Sequence, residues 1–289
     1  MRGLTYLIGL VPIVGCASIG RIDDGTSLAY GYHNEGRLVN GVQLPSAGDG
    51  YLVPQTWAKR GNNWGTEELV GLIVRTGRRL VEEIPETPLF VADLSPPRGG
   101  PSRWHHSHQT GRDADLLFFA RDPLGRPLPP PPQMPVFLED GKTADGTMVF
   151  DVARNWKLVK ALIEDPATDV QYLFIYQPLA DMMLLHARAI GEPTDVVARA
   201  SALLKQPGDS LKHDDHLHVR IYCPASDRPL GCRDRGPLRW LKKVYKYLAG
   251  IRRLEALLPQ ALQAVGLRPF CHYAPPSLQA SRSLTSSAR

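Results

Sequence analysis

The most constraining feature of this sequence is a run of nine residues, Lys212–Arg220 (KHDDHLHVR), in which three of six consecutive positions are histidine. The run leads into an apolar segment typical of a β-strand. Successive side chains of a strand point to opposite faces, so we expect His216 and His218 on one face and Leu217 on the other. Two imidazoles held side by side on a rigid strand suit a metal ligand beside a catalytic group, although such a pair also arises by chance.

A second cluster of histidine and aspartate lies well upstream, in Trp104–Asp115 (WHHSHQTGRDAD). An apolar segment, Leu116–Ala120, follows it directly and is predicted to be a buried strand. His108 and Asp115 would therefore enter that strand from a loop. The presence of two such clusters favours a functional site over coincidence.

The residue types in the two clusters fit a zinc hydrolase. A catalytic zinc ion takes three protein ligands and keeps one position for water, whose pKa falls to about 7. The sequence offers His108, Asp115 and His218 as two histidines and one carboxylate. His216 would lie within reach of the water as a base, and His213 could approach from the loop before the strand.

Other residues near the motifs are candidates for supporting roles. Asp113, Asp214 and Asp215 could orient imidazole rings from behind the ligands. A solvated loop carboxylate is the alternative for Asp113 and the better interpretation for Asp214. His105 is a candidate for the rim of the site, and a plain loop residue is the alternative for both His105 and His106. The remaining histidines are interpreted as incidental: His33, His186 and His272.

The apolar pattern predicts an α+β fold. Thr66 is a good N-cap, and the apolar spacing after it predicts a helix that Pro85 ends. Further helices are predicted at Phe150–Ile163, Pro178–Ile190 and Thr194–Leu204, and strands at Leu89–Leu94, Leu116–Ala120 and Val170–Tyr176. Because strands and helices do not alternate regularly, we expect a small, mostly antiparallel sheet flanked by helices and long loops in a single catalytic domain.

The N-terminus is typical of an exported protein. Arg2 supplies a positive charge, and Leu4–Val14 is mostly apolar but too short to span a bilayer as a helix. The apolar run ends at Gly15-Cys16, which resembles a bacterial lipobox and predicts lipidation of Cys16. A plain secretory signal cleaved near Ala17 is the alternative, and it predicts export equally.

Four cysteines are available, and Cys223 and Cys232 are the closest pair. In an oxidising compartment these two would most naturally form a disulfide just past the histidine strand. If Cys16 carries lipid, Cys271 is left as a free thiol. If Cys16 is retained without lipid, a Cys16–Cys271 bond would join the two ends.

Composition and charge exclude some classes of protein. Apolar residues make up 43% and charged residues 22%, which excludes a disordered or membrane-embedded chain. The net charge of +5 favours acidic partners such as an anionic wall polymer or lipid. No nucleic-acid motif accompanies this charge, so nucleic acid is not expected as a partner.

Two motifs, Ser107–Asp115 and His213–Arg220, closely resemble those of the penicillin-insensitive murein endopeptidases. These enzymes belong to the wider lysostaphin, D-Ala-D-Ala metallopeptidase and hedgehog group. The pattern of that group is a histidine and an aspartate separated by six residues, followed by His-x-His. The resemblance covers roughly Tyr51 to Cys232.

The resemblance implies functions for the matching residues. It implies zinc bound by His108, Asp115 and His218. It implies His216 as the base or water-orienting residue. It implies that His213 assists or stabilises the oxyanion.

The resemblance also implies a substrate, the D-alanyl–meso-diaminopimelyl cross-link of peptidoglycan. With the N-terminus typical of export, a periplasmic location is expected, with an outer-membrane anchor if Cys16 is lipidated. His105 matches a family histidine at the rim of the site, and Cys223 and Cys232 match one of the family disulfides. The proline-rich insertion at 121–145 and the basic C-terminal segment depart from the family pattern.

These inferences divide the chain into five parts. They are a signal peptide at 1–16, an irregular lead-in at 17–50, a zinc peptidase domain at 51–235, a basic helical extension at 236–274 and a disordered tail at 275–289. Two other functions remain open at this point. One is a D,D- or L,D-carboxypeptidase acting on the same polymer, and the other is a non-catalytic peptidoglycan-binding lipoprotein.

Overall fold

A computed structural model describes residues 25–85, 88–208 and 210–238. The predicted signal peptide, the tail and nearly all of the basic extension lie outside these residues, as do Cys16 and Cys271. The described helices are α1 Gln55–Ala58, α2 Glu67–Glu83, α3 Val152–Ile163, α4 Gln177–Ala189 and α5 Thr194–Leu203. The described strands are β1 Leu28–Tyr32, β2 Glu35–Val39, β3 Val42–Gln43, β4 Ala47–Gly48, β5 Tyr51–Leu52, β6 Trp64–Gly65, β7 Leu89–Phe90, β8 Asp113–Leu117, β9 Ala120–Arg121, β10 Pro127–Leu128, β11 Val149–Phe150, β12 Val170–Phe174, β13 Leu204–Lys205 and β14 His216–Ile221.

The sheet that carries the site has four strands in the order β13-β12-β14-β8. Strand β14 lies between β12 and β8 and is antiparallel to both, whereas β13 runs parallel to β12. The register places His218 opposite Asp115 and Arg220 opposite Asp113. The prediction of an α+β fold with a small, mostly antiparallel sheet is therefore confirmed.

Helix α2 begins at the cap that the sequence predicts, and α3 begins two residues later than the predicted Phe150, after a cap at Asp151. The Thr66 hydroxyl accepts a hydrogen bond from Leu69 N, and the Asp151 carboxylate accepts one from Arg154 N. Helix α2 ends just before Pro85, as expected for a residue that cannot continue a helix. Helices α3, α4 and α5 pack on one another, and α5 also contacts β12. This packing buries one side of the helical layer against the sheet.

The strand after the first motif begins earlier than the apolar pattern predicts. Strand β8 covers Asp113–Leu117 rather than Leu116–Ala120, and all five of its side chains are buried. The polar residues at its start escaped the apolar pattern. Asp113 is tolerated because β14 pairs along the whole of β8 and places His218 and Arg220 against its carboxylate.

The lead-in predicted to be irregular is partly regular. Strands β1 and β2 form an antiparallel hairpin between Leu28 and Val39, which includes the predicted short strand near residues 37–39. The hairpin is bound to the rest of the fold by hydrogen bonds from Gly31 N to the Gly231 carbonyl and from Gln109 N to the His33 carbonyl. Irregularity was the wrong expectation here, because long-range contacts with later segments stabilise the hairpin.

The proline-rich insertion is also more integrated than its composition suggests. Its strand β10 pairs with β9, and its Phe137 ring is fully buried against Phe118 and Phe150. The predicted disulfide between Cys223 and Cys232 is present, with a Cα–Cα distance of 5.9 Å. Among the described residues, no helix is long and apolar enough to cross a membrane.

Candidate metal centre

The carboxylate of Asp115 is the centre of the candidate site. It projects from β8 and is 1% exposed. Asp115 Oδ1 lies 3.3 Å from His108 Nε2 and 3.3 Å from His216 Nε2. The same oxygen lies 3.5 Å from His218 Nδ1. The structure therefore brings one carboxylate oxygen close to three imidazole nitrogens from two distant motifs.

His108 is held by the backbone of a loop. Its φ of 64° lies in the left-handed region, which costs a non-glycine residue about 1–2 kcal/mol. Two contacts hold it there. The Ser95 hydroxyl donates to the His108 carbonyl and accepts from Gly111 N, and His108 Nδ1 lies 2.9 Å from the Leu94 carbonyl. Because Nδ1 must donate its proton to that carbonyl, Nε2 is left as an electron-pair donor facing Asp115.

His216 and His218 are held by carboxylates instead. His216 Nδ1 lies 2.6 Å from Asp215 Oδ1, and His218 Nε2 lies 2.8 Å from Asp113 Oδ1. These contacts commit one nitrogen of each ring and direct the other toward Asp115. Two of the three aspartates predicted to orient imidazoles thus lie in position to do so.

Asp113 is kept ionised by its surroundings. Arg220 Nε donates to Asp113 Oδ1 at 2.6 Å. Burial disfavours the charged carboxylate, but Arg220 and the imidazole of His218 outweigh burial and lower the pKa of Asp113 well below its ordinary value. A permanently charged carboxylate behind His218 favours the tautomer in which Nε2 carries the proton.

Buried atoms without partners test whether these residues fit a metal ion. In the described part of the chain, His108 Nε2 and both carboxylate oxygens of Asp115 are buried and accept or donate no hydrogen bond. Such atoms are costly unless a ligand satisfies them. Two ligands about 2.0–2.1 Å from one tetrahedral ion lie roughly 3.3 Å apart, close to the observed spacings. The residues present therefore fit a zinc ion.

Two groups of candidate ligands meet in this centre. One is His213, His216 and His218, and the other is His105, His108 and Asp115. The set predicted from the sequence, His108, Asp115 and His218, takes members from both groups. Asp115 Oδ1 joins the groups because it lies within 3.5 Å of His108 and His218.

The protonation of the centre without metal follows from charge and burial. Burial opposes protonation of His216, but the carboxylates of Asp115 and Asp215 outweigh it and raise its pKa to about 10. Burial lowers the pKa of His218 to about 3, despite its contact with Asp113. Burial also disfavours the charged form of Asp115, yet His108 and His216 hold its pKa well below the ordinary value. A cation bound to Asp115 would remove the main cause of the positive shift at His216.

His213 lies at the edge of the same cluster. Its ring centroid is 5.1 Å from that of His216 and 5.5 Å from that of His218. Its Nδ1 is buried without a partner among the described residues, and its backbone carbonyl accepts a hydrogen bond from Tyr176 N. Burial, reinforced by the charge of His216, lowers the pKa of His213 to about 4. A neutral imidazole is therefore available beside the cluster.

His105 lies against the centre, and its main partner escaped the sequence analysis. The ring stacks on His108 with centroids 4.3 Å apart, and Nδ1 lies 3.6 Å from Asp115 Oδ2. Its Nε2 lies 2.9 Å from Asp93 Oδ2, which also accepts a hydrogen bond from Arg60 Nη1 at 2.7 Å. Asp93 is 1% exposed. The one signal in the sequence that could have identified Asp93 is its position, as a carboxylate near the end of the predicted apolar strand Leu89–Leu94.

The remaining candidates lie outside the cluster of imidazoles. Asp214 contributes its backbone carbonyl to Phe137 N, and His106 is exposed. His33 sits at the β1–β2 turn, and His186 lies half-buried on α4. His272 lies outside the described residues.

An α+β fold that buries several imidazoles around one carboxylate is typical of a metal-dependent hydrolase. The family model of penicillin-insensitive murein endopeptidases matches residues 29–134. This match confirms the resemblance inferred from the motifs. No curated protein is a significant match to the chain.

The family match covers one part of the centre. His105, His108 and Asp115 lie inside residues 29–134, whereas His213, His216 and His218 follow them in the chain. The pairing of β14 with β8 brings the later histidines to the matched segment.

Proposed function

We propose that this protein is an exported zinc metallopeptidase that hydrolyses the D-alanyl–meso-diaminopimelyl cross-link of peptidoglycan. The family match supports a peptidase acting on peptidoglycan. One observation carries the proposal of a metal. His108 Nε2 and both Asp115 carboxylate oxygens are buried and lack hydrogen-bond partners within the described residues. His218 Nδ1 lies 3.5 Å from Asp115 Oδ1.

In this proposal His108, Asp115 and His218 hold the zinc ion. Zinc, when bound, polarises the scissile carbonyl and makes water a stronger acid at neutral pH. Leu94 and Asp113 fix the tautomers of the two histidine ligands through the nitrogen that faces away from Asp115. The chain therefore presents its ligand atoms in one arrangement before a metal binds.

His216 is the proposed general base. Its Nδ1 is committed to Asp215, so Nε2 is the atom that can take a proton from the attacking water and return it to the leaving amine. Asp215 would stabilise the imidazolium formed between these two transfers. His213, beside His216, assists by donating a hydrogen bond to the oxyanion.

The proposal includes export to the periplasm. Peptidoglycan lies outside the cytoplasm, and the Cys223–Cys232 disulfide is consistent with an oxidising compartment. The lipobox-like Gly15-Cys16 motif supports attachment to the outer membrane through lipid on Cys16. Radiolabelled palmitate incorporation by the wild-type chain, and its loss in Cys16→Ala, would test the anchor.

A digest of purified, cross-linked muropeptide dimers tests the activity. We expect dimers to become monomers, with one zinc ion per chain by elemental analysis. Activity should disappear after chelation and return when zinc is added back. Release of a terminal amino acid without monomers would instead identify a carboxypeptidase. A zinc-loaded protein that binds peptidoglycan and releases neither product would identify a binding protein.

A further inference from the structure

A cavity of about 310 Å³ lies beside the metal centre, and the proposed function gives it no role. It is lined by residues 101–106 and by Gln109. We call it the Trp104 pocket. Its wall includes His105, whose ring nitrogen Nδ1 lies 3.6 Å from Asp115 Oδ2. A group bound in this pocket would lie one side chain away from the candidate ligands.

Two arginines stack on the Trp104 ring, and one of them, Arg103, lines the Trp104 pocket. The indole of Trp104 is 47% exposed, and the guanidinium carbons of Arg60 and Arg103 each lie 4.4 Å from its ring centroid. Stacking on an aromatic face leaves the N–H groups at the edge of a guanidinium free to donate hydrogen bonds. None of the residues lining the cavity is acidic.

The two arginines differ in how far their charge is already neutralised. Arg60 donates to Asp93 at 2.7 Å, and Asp93 also binds His105. Arg103 is exposed and forms no ion pair with any residue in the described ranges. Arg60 therefore anchors the indole next to the metal centre, while Arg103 keeps its charge and its donors for a ligand.

We propose that the Trp104 pocket is a subsite for a free carboxylate of the peptidoglycan stem peptide, with Arg103 as the residue that binds it. The identity of the ligand rests on the proposed function. Stem peptides carry carboxylates on the glutamyl, diaminopimelyl and terminal alanyl residues. A guanidinium recognises a carboxylate through two parallel N–H donors, and the aromatic face adds contact for the adjacent aliphatic chain. Asp93 and His105 connect this subsite to Asp115, so that binding there would position the peptide at the metal centre.

A binding measurement that does not require cleavage tests the proposal. The probe is an uncross-linked tetrapeptide stem, L-Ala–γ-D-Glu–meso-diaminopimelyl–D-Ala, titrated into the zinc-loaded full chain by calorimetry. Parallel probes carry a single amide at one of the three carboxyl groups, and a last probe carries all three amides. The variants are Arg103→Gln and, as a matched control, Arg188→Gln, an exposed arginine on α4 outside the pocket.

We expect Arg103→Gln to weaken binding of the free tetrapeptide at least about tenfold, because a glutamine amide cannot reproduce the charged pair of N–H donors. Arg188→Gln should bind like the wild type. Amidation of the carboxyl group that Arg103 binds should weaken binding to the wild type as much as Arg103→Gln weakens binding of the free peptide. The singly amidated probe that shows this loss identifies the bound carboxylate. The triply amidated probe should not distinguish Arg103→Gln from the wild type.

Three results would overturn the subsite. They are unchanged binding by Arg103→Gln, an equal loss with the triply amidated probe, and no measurable binding by the wild type at millimolar peptide. Failure of the proposed function is seen separately in the muropeptide digest. If dimers are cleaved while binding ignores Arg103, only the subsite fails. If the binding pattern appears without cleavage, only the proposed activity fails. With active enzyme, Arg103→Gln should raise KM and leave kcat within about twofold.

Discussion

The two sides of the candidate metal centre are built differently. We call residues 93–111 the loop side, and residues 113–115 of β8 together with residues 213–220 the strand side. On the loop side, His108 adopts a left-handed backbone conformation and is oriented by the Leu94 carbonyl. On the strand side, His216 and His218 follow the regular alternation of β14 and are oriented by the carboxylates of Asp215 and Asp113.

The difference shows that one site can be preorganised by backbone geometry on one side and by charge on the other. A backbone carbonyl cannot be removed by a side-chain substitution, whereas a carboxylate can be neutralised by a single atom change. The strand side should therefore be the more sensitive to isosteric mutation.

Loss of a ligand should be equally severe on both sides. His108→Ala and His218→Ala should each abolish zinc binding and reduce cleavage at least 10³-fold, because a two-ligand site cannot hold the ion. Metal content and muropeptide digestion measure the two effects. His186→Ala, on α4, is the control and should match the wild type. A variant that keeps stoichiometric zinc would remove its residue from the ligand set.

His216 should separate metal binding from turnover. His216→Ala should retain zinc and lower kcat about 10²–10⁴-fold, the usual contribution of a general base. Zinc content and kcat are measured on the same preparation. Turnover equal to that of the wild type would refute the role of base, and loss of zinc would make His216 a ligand.

Asp113 and Ser95 compare the two orienting devices directly. Asp113→Asn removes the charge behind His218 and should weaken zinc affinity roughly 10–100-fold. Ser95→Ala removes the hydroxyl that bonds the His108 carbonyl, but leaves Leu94 in place to orient the ring. We expect it to change zinc affinity less than tenfold while lowering the free energy of unfolding by about 1–2 kcal/mol. Competition with a chelator and urea unfolding give the two values. Equal losses of affinity in the two variants would contradict the proposed difference between the sides.

Glu68 tests the scaffold behind the loop side. Glu68 lies on α2, and the backbone N–H of the cap residue Thr66 donates a hydrogen bond to the Gly111 carbonyl. Within the described ranges, Glu68 Oε2 is buried without a hydrogen-bond partner. Burial, reinforced by the charge of Asp227, raises the pKa of Glu68 from 4.5 to about 7. The folded protein therefore prefers the protonated form. The stability contributed by that form is complete below pH 4.5 and is lost as the pH rises through 7.

We expect Glu68→Gln to exceed the wild type in free energy of unfolding by about 2 kcal/mol at pH 8, and to lose that advantage toward pH 5. Urea unfolding at several pH values measures the difference. Glu82→Gln, an exposed change on the same helix, should show no such dependence. Zinc affinity should not change, because Glu68 contacts neither side of the centre. A pH-independent difference would show that Glu68 is ionised in the folded protein.

The sequence alone determined the residue types of the centre and the general architecture. The apolar spacing after Thr66 predicted α2 because a helix must repeat its buried face every 3.6 residues. The alternation of His216, Leu217 and His218 predicted a strand with both histidines on one face. The short separation of Cys223 and Cys232 predicted the disulfide that is present.

How these residues work together depends on contacts between segments that are distant in the sequence. The choice of ring nitrogen in His108 and His218 depends on Leu94 and Asp113, which lie 14 and 105 residues away in sequence. The connection from Asp93 through His105 to Asp115, and the stacking of Arg60 on Trp104, likewise need segments that local patterns do not relate. Periodicity reports which face of an element is buried, but it carries no information about which distant side chain faces a given atom. That information arises only when β14 pairs with β8 and the loop before β8 folds back onto the end of the preceding strand.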